Sequence, residues 1–248
     1  VVRHQSEDNV NKLLALLLCG AVRVSAQIPE RFENLQVFPK DISRDSLIGI
    51  MRGFSFGLGV RCVHCHLGED SPTLAGVDFR SDERVAKRKA REMLRMVAAV
   101  NASLATLPSR SDPIEVRCAT CHRGIPRPIS LEDSLFRVAA GAKGPAIVAA
   151  YDSLRAEYFG QSAFDFGPQA LVRLAERLNA GRRHDDAVAV LMRNSEAYPR
   201  FWGTWWELGR GYEAQSRTAD AVAAYRAVLE RLPNHPGAMA RLRALGAE

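Results

Sequence analysis

Two short strings carry the residues able to do chemistry: Cys62-Val63-His64-Cys65-His66 and Cys118-Ala119-Thr120-Cys121-His122. Each is C-x-x-C-H, the spacing at which two thiols add across the vinyl groups of a porphyrin and the next histidine offers its ring nitrogen to the iron. The sequence therefore predicts two covalently bound haem c groups, attached through Cys62, Cys65, Cys118 and Cys121. His66 and His122 are the first axial ligands, and His64 stands at the wrong spacing. Two other chemistries use such pairs. A redox disulfide belongs at a helix start inside a βαβ pattern, which is not visible here. Zinc would need a more compact arrangement and would leave His66 and His122 unused.

These strings need elements to position them. Before residue 130 the pattern is helical, with no convincing strand alternation. Asp45 to Phe56 fits a helix with an apolar stripe of Leu47, Ile48, Ile50, Met51 and Phe54, broken by Gly57-Leu58-Gly59. A second helix should carry Cys62 to Leu67. Ser81-Asp82-Glu83 reads as the start of a long helix running to about Leu104. Gly124-Ile125-Pro126-Arg127-Pro128 stops the chain abruptly after the second motif. A helix over 145–159 is expected to connect or to cap.

From Pro168 the sequence repeats with a period of 34 residues: Leu174 and Leu208, Leu178 and Tyr212, Ala187 and Ala221, Leu191 and Tyr225, Pro199 and Pro233. That is the tetratricopeptide period, with Pro236 to Leu245 as a closing helix. Two repeats are fewer than stability usually requires, so residues 145–166 and the closing helix must help to cover the stack. Trp206, Arg210 and Glu213 should face the concave groove. His184 and His235 fall at repeat turns and are read as exposed. The fold class predicted is all-α: a multihaem c-type cytochrome domain of helix–turn–helix haem units, then a tetratricopeptide repeat helical domain.

Leu13 to Val24 is an apolar run preceded by Arg3 and Lys12 and ending in Val24-Ser25-Ala26. Residues 1–26 thus read as a signal peptide, too short for a comfortable membrane span, with Cys19 falling in the removed segment. The partition expected is 1–26 signal peptide, 27–130 dihaem domain, 131–166 helical connector and 167–248 repeats. Export places the protein in the periplasm. Its formal net charge of +6 is modest and does not require nucleic acid as a partner.

Residues 34–128 resemble the cytochrome subunit of photosynthetic reaction centres. The strings that carry the resemblance are Val37-Phe38-Pro39-Lys40-Asp41-Ile42, Met51-Arg52-Gly53-Phe54, Leu58-Gly59-Val60-Arg61-Cys62 and the second motif with its Arg-Gly-x-Pro-Arg-Pro tail. The resemblance implies units built from a Met-bearing helix, a turn and a C-x-x-C-H segment, with the Met thioether as second iron ligand. Met51, eleven residues before Cys62, and Met96, twenty-two before Cys118, stand at such separations. Met93 competes with Met96: helical periodicity puts Met93 on the buried face with Ala86, Ala90, Val97 and Val100. The usual members carry four haems. This chain has two motifs and a repeat domain where further haem units would stand.

His/Met ligation leaves no open coordination position, which argues for electron transfer rather than catalysis. The leading reading is a periplasmic electron carrier, and the resemblance implies re-reduction of a photo-oxidised primary donor. Its partner would be a redox protein, either a membrane photosynthetic or respiratory complex or a soluble cytochrome. A peptide or protein would sit at the repeat groove. The alternatives are a dihaem peroxidase-like enzyme and a repeat-based assembly protein. The basic run Arg80, Arg84, Lys87, Arg88, Lys89, Arg91 and Arg95 reads as a solvated face, or else as one that pairs with haem propionates or an acidic partner.

Overall fold

A computed structural model describes residues 28–108 and 114–247. The leader expected at 1–26 lies outside them. The described residues are helical, with no strand among them and one isolated bridge pairing Leu67 with Asp78. None of their helices is long and apolar enough to cross a membrane. The chain divides into two compact units at Thr120/Cys121, inside the second motif.

In the first unit, helix α1 spans Arg44–Leu58. Ser43 caps it by accepting from the Ser46 N–H, and Gly59 ends it in the left-handed region at φ 65°. The Val60 N–H returns to the Ser55 carbonyl at 3.0 Å, closing the last turn in a Schellman arrangement. Cys62–His64 is one turn of 3-10 helix, not the longer helix expected to Leu67. Gly68 shows why the chain leaves the helical path there. Its φ is +143°, and a Cβ would lie 2.9 Å from the Val77 backbone, so the segment after the motif is pressed against 77–78. Helix α2 spans Val85–Leu104 and begins after the expected start, because the Asp82 carboxylate is committed elsewhere. Helix α3 is the short Cys118–His122 turn of the second motif.

The second unit holds α4 (Leu131–Ala139), α5 (Gly144–Tyr158), α6 (Pro168–Ala180), α7 (His184–Ala197), α8 (Trp202–Ala214), α9 (Thr218–Arg231) and α10 (Pro236–Ala244). Local geometry recurs with the 34-residue period. Arg182 and Ser216 are both left-handed, at φ 57° and 58°. Arg183 pairs with Asp186 and Arg217 with Asp220, each at 2.7 Å. Tyr198 and Leu232 close their helices with equivalent N–H bonds of 2.8 Å to Asn194 and Val228.

Helices α4 and α5 are part of this core. Leu131, Leu135, Ile147, Tyr151, Phe164 and Phe166 are buried in one cluster with Leu171, Leu174, Leu178 and Leu191. The Arg177 guanidinium reaches Glu132 and Asp133 at 2.8 and 2.7 Å, and the buried Gly144 N–H donates to Asp186 at 2.6 Å. The need for extra cover on a two-repeat stack is met in this way.

Gly209 is the tightest point of α8 against α9. A Cβ there would stand 2.4 Å from the fully buried Tyr225 ring. Gly209→Ala should therefore destabilise the second unit by about 1–3 kcal/mol through overpacking. Denaturant unfolding followed by the tryptophans checks this, and an unchanged midpoint would contradict the packing described.

Candidate functional site

The four motif cysteines are all thiols, half-buried at Cys62, Cys65 and Cys118 and exposed at Cys121. In the first motif the 3-10 turn carries the Cys65 and His66 N–H groups onto the Cys62 carbonyl, at 3.2 and 3.0 Å. That winds both thiols and His66 into one turn. His66 is half-buried while His64 is exposed, which agrees with the spacing argument. The His66 ring lies 4.9 Å from Phe79, and its Nδ1 is buried without a hydrogen-bond partner. Burial, followed by the Lys87 and Arg91 charges and opposed by Asp78, pushes the His66 pKa down to about 4. The imidazole is thus neutral at pH 7, the form that can donate a lone pair to iron. Burial raises the Cys65 thiol, with Lys87 acting in the opposite direction.

The second motif is built differently. Arg123 and Gly124 take positive φ values of 52° and 89° and fold the chain back on itself. The Ile125 N–H then donates to the His122 carbonyl at 3.0 Å, and the Ile125 carbonyl lies 3.0 Å from His122 Nδ1. A carbonyl only accepts, so this contact puts the proton on Nδ1 and leaves the Nε2 lone pair for a metal. Upstream, Asn101 of α2 clamps residue 116 from both sides. Its amide donates to the Val116 carbonyl at 2.9 Å, and its oxygen accepts the Val116 N–H at 2.8 Å. The motif backbone also touches α1, where a Cβ on Gly57 would lie 3.2 Å from the Ala119 nitrogen.

Met51 is half-buried on α1. On α2, Met93 and Met96 are 43% and 48% exposed, so the periodicity argument that made Met93 the buried one does not hold. Nor is the basic run simply a solvated face. Lys87 is buried, and its Nζ donates to the carbonyls of Phe79, Arg80 and Ser81 at 2.8, 3.1 and 2.8 Å. Asp82 pairs with Lys87 at 3.2 Å and Arg91 at 2.8 Å, and also accepts from Asn34. Sequence reasoning missed Asn34, Phe79 and Asn101. Only the i, i+4 spacing of Lys87 and Arg91 hinted at a shared partner.

The residues present fit a large apolar group. Among the described residues of the first unit only Leu47, Gly57 and Lys87 are buried. Phe56 is 81% exposed, and Val85, Met93, Met96 and Val100 line α2 unburied. Porphyrin faces laid on these helices would supply the apolar burial that the helices do not find in each other.

In the second unit, Trp206, Arg210 and Glu213 line one pocket of about 420 Å³ with Tyr225 and Arg241, as their offsets predicted. An adjoining pocket of about 310 Å³ is lined by Asn179, His184, Glu207 and Arg210. Glu207 is buried, its Oε2 has no partner, and burial raises its pKa. His184 and His235 are half-buried rather than exposed. His184 contacts the Asn179 amide at 3.0 Å, while His235 caps α10 and packs on Trp202 and Trp206.

Two C-x-x-C-H turns on short helical segments are the arrangement to which haem c attaches, and they support an electron-transfer role. Residues 20–130 match the family model of the photosynthetic reaction centre cytochrome C subunit, which is what this part of the chain is similar to. The match covers less than half of the chain. No curated protein matches it.

Asp82 is held well below the usual carboxylate range, first by the Arg91 hydrogen bond and then by Asn34 and Lys87. A depressed carboxylate contributes stability above its unfolded value, about pH 4, and loses it as pH falls through the folded value. Asp82→Asn should remove that acid dependence and reduce amide exchange protection around residues 79–87 about tenfold at pH 7. Unchanged protection would show that Asp82 does not hold this segment.

Proposed function

We propose that this chain is a periplasmic dihaem c-type cytochrome that transfers electrons and is not an enzyme. One haem is attached through Cys62 and Cys65 with His66 and Met51 as axial ligands. The other is attached through Cys118 and Cys121 with His122 and Met96. The observation that carries the reading is that both C-x-x-C-H turns belong to short helical segments with a histidine nitrogen available for metal. Around the first, the helices keep their apolar side chains unburied. Bound there, haem supplies an iron that takes up and releases one electron. The chain's own part is to orient each imidazole, and its Met51 and Met96 thioethers would serve as second iron ligands, which would leave no position for substrate.

In this reading residues 1–26 direct export, 27–130 carry the haems, 131–166 join them to the repeats and cover the repeat core, and 167–248 form two tetratricopeptide repeats that recruit a protein partner. Two adjoining pockets, one on α8, α9 and α10 and the other on α6, α7 and α8, support that last role, because they collect charged and hydrogen-bonding groups on either side of Arg210. The partner would be a redox protein, either a membrane photosynthetic or respiratory complex or a soluble cytochrome.

The exported protein should have an intact mass carrying two haems, and replacing either cysteine pair by alanine should remove one. Met51→Ala and Met96→Ala should each weaken the near-infrared Met–iron band by about half, and Met93→Ala should leave it alone. A haem-free chain that binds zinc would contradict the proposal outright.

Trp206→Ala should weaken affinity for the physiological partner by about tenfold or more, as loss of a central aromatic anchor does. The haem spectra should not change. Binding measured by titration calorimetry decides this, and unaltered affinity would remove the repeat face from the interface.

A further inference from the structure

The two motifs are alike in sequence but differ in what stands behind their histidines. Behind His122 is a carbonyl: Ile125 O accepts from Nδ1 at 3.0 Å. Such a bond makes the imidazole a more basic ligand, which favours the more positive, ferric state of an iron held on the other nitrogen. Among the described residues, no acceptor meets His66 Nδ1. Its Nδ1 is buried and unpartnered, and the neighbouring group is the Phe79 ring at 4.9 Å.

The segment that presents Phe79 is fixed from both sides. The Asp78 N–H donates to the Leu67 carbonyl at 2.7 Å, directly after His66. From below, the buried Lys87 ammonium is clamped by the carbonyls of Phe79, Arg80 and Ser81. Two cations, Lys87 and Arg91, share the single carboxylate of Asp82, so this half-buried cluster keeps one excess positive charge. The other nearby carboxylate, Asp78, is 43% exposed and is occupied by the N–H groups of Arg80 and Ser81. Its field is screened by solvent, whereas that of Lys87 is not. A fixed positive charge beside a metal site disfavours the ferric state.

We propose that Lys87, which clamps the segment carrying Phe79 against the unpartnered His66 ring, makes the first motif the higher-potential of two haem sites, so that an electron shared by the pair rests on the first. The proposal rests on the dihaem reading. The unbonded imidazole and the excess cation act in the same direction, and the His122 ring differs in that its Nδ1 is bonded to the Ile125 carbonyl. Lys87 is a positioning and tuning residue, not a ligand.

The test is a spectroelectrochemical titration of the full-length exported protein, with haem content fixed by intact mass. The two midpoints are assigned with the single-haem variants Cys62→Ala/Cys65→Ala and Cys118→Ala/Cys121→Ala. The first-motif site should have the higher midpoint. Lys87→Gln should lower that midpoint and leave the second unmoved, while Lys87→Arg should retain it. Equal or reversed midpoints in the wild type overturn the inference, and they do so whether or not Lys87→Gln folds. A drop as large in Lys87→Arg as in Lys87→Gln also overturns it, since it would make Lys87 structural. A chain without haem overturns the underlying reading as well, and the mass measurement separates that failure from the others.

Discussion

Apolar burial is distributed very unevenly along this chain, and most of its behaviour follows from that. The second unit closes one core running from Ile125 to Ala224, in which Leu135, Ile147, Leu174 and Leu191 are completely buried, and a second over Ala221, Tyr225, Val228, Ala238 and Leu242. The first unit has helices just as regular but buries almost nothing. Helix α1 has a left-handed glycine stop and a serine cap, and α2 runs for 20 residues, yet between them they bury Leu47, Gly57 and Lys87. Helix propensity and caps contribute a few kcal/mol at most, and tertiary burial is what normally holds helices in place. Covalently bound haem of the kind the cytochrome family model implies would answer that requirement, and cofactor binding and folding would then be one process.

What the first unit does possess is a polar frame. Lys87, Arg91, Asp82 and Asn34 tie residues 78–84 to α2, and Asn101 does the same for residue 116. These bonds position the backbone beside each motif without filling the space in front of it. A frame of this kind suits a site that must accept a rigid planar group, because hydrogen bonds fix the walls while the apolar face stays available. The cost is a buried ammonium, offset by three carbonyls and a shared carboxylate at about 3 Å.

Much of this was legible in the sequence, and what was not has identifiable causes. The helices α1, α2, α5 and α10, together with the 34-residue repeat, followed from apolar periodicity and from glycine and proline punctuation. The motif chemistry is local and could be read directly. The boundary between the two units was less visible, because Ile125, Ile129 and Leu131 look like loop and connector residues until Leu171 and Leu174 are seen in the same cluster. The run of cations on α2 looked uniform because charge alone does not show direction. Lys87 and Arg91 point to Asp82, a carboxylate that the sequence had placed in the start of the helix. Met93 misled for the related reason that periodicity predicts burial only when something packs on the face concerned.

The position of Ile125 links these threads. Its carbonyl orients His122, and its side chain, 5% exposed, is anchored in the core that continues through α4 into the repeats. The His122 ring therefore takes its orientation from a backbone turn whose stability is that of the helical stack. His66 takes its own from Phe79 and a lysine clamp in the unit that has little core. One motif is held by hydrophobic packing and a carbonyl, the other by charge and an aromatic face. Two copies of the same five-residue pattern are thus placed in environments of opposite character. A pair of one-electron sites, as proposed here, would need such a difference for the electron to have a preferred resting place, and the difference would arise from what packs behind each histidine rather than from the motifs themselves.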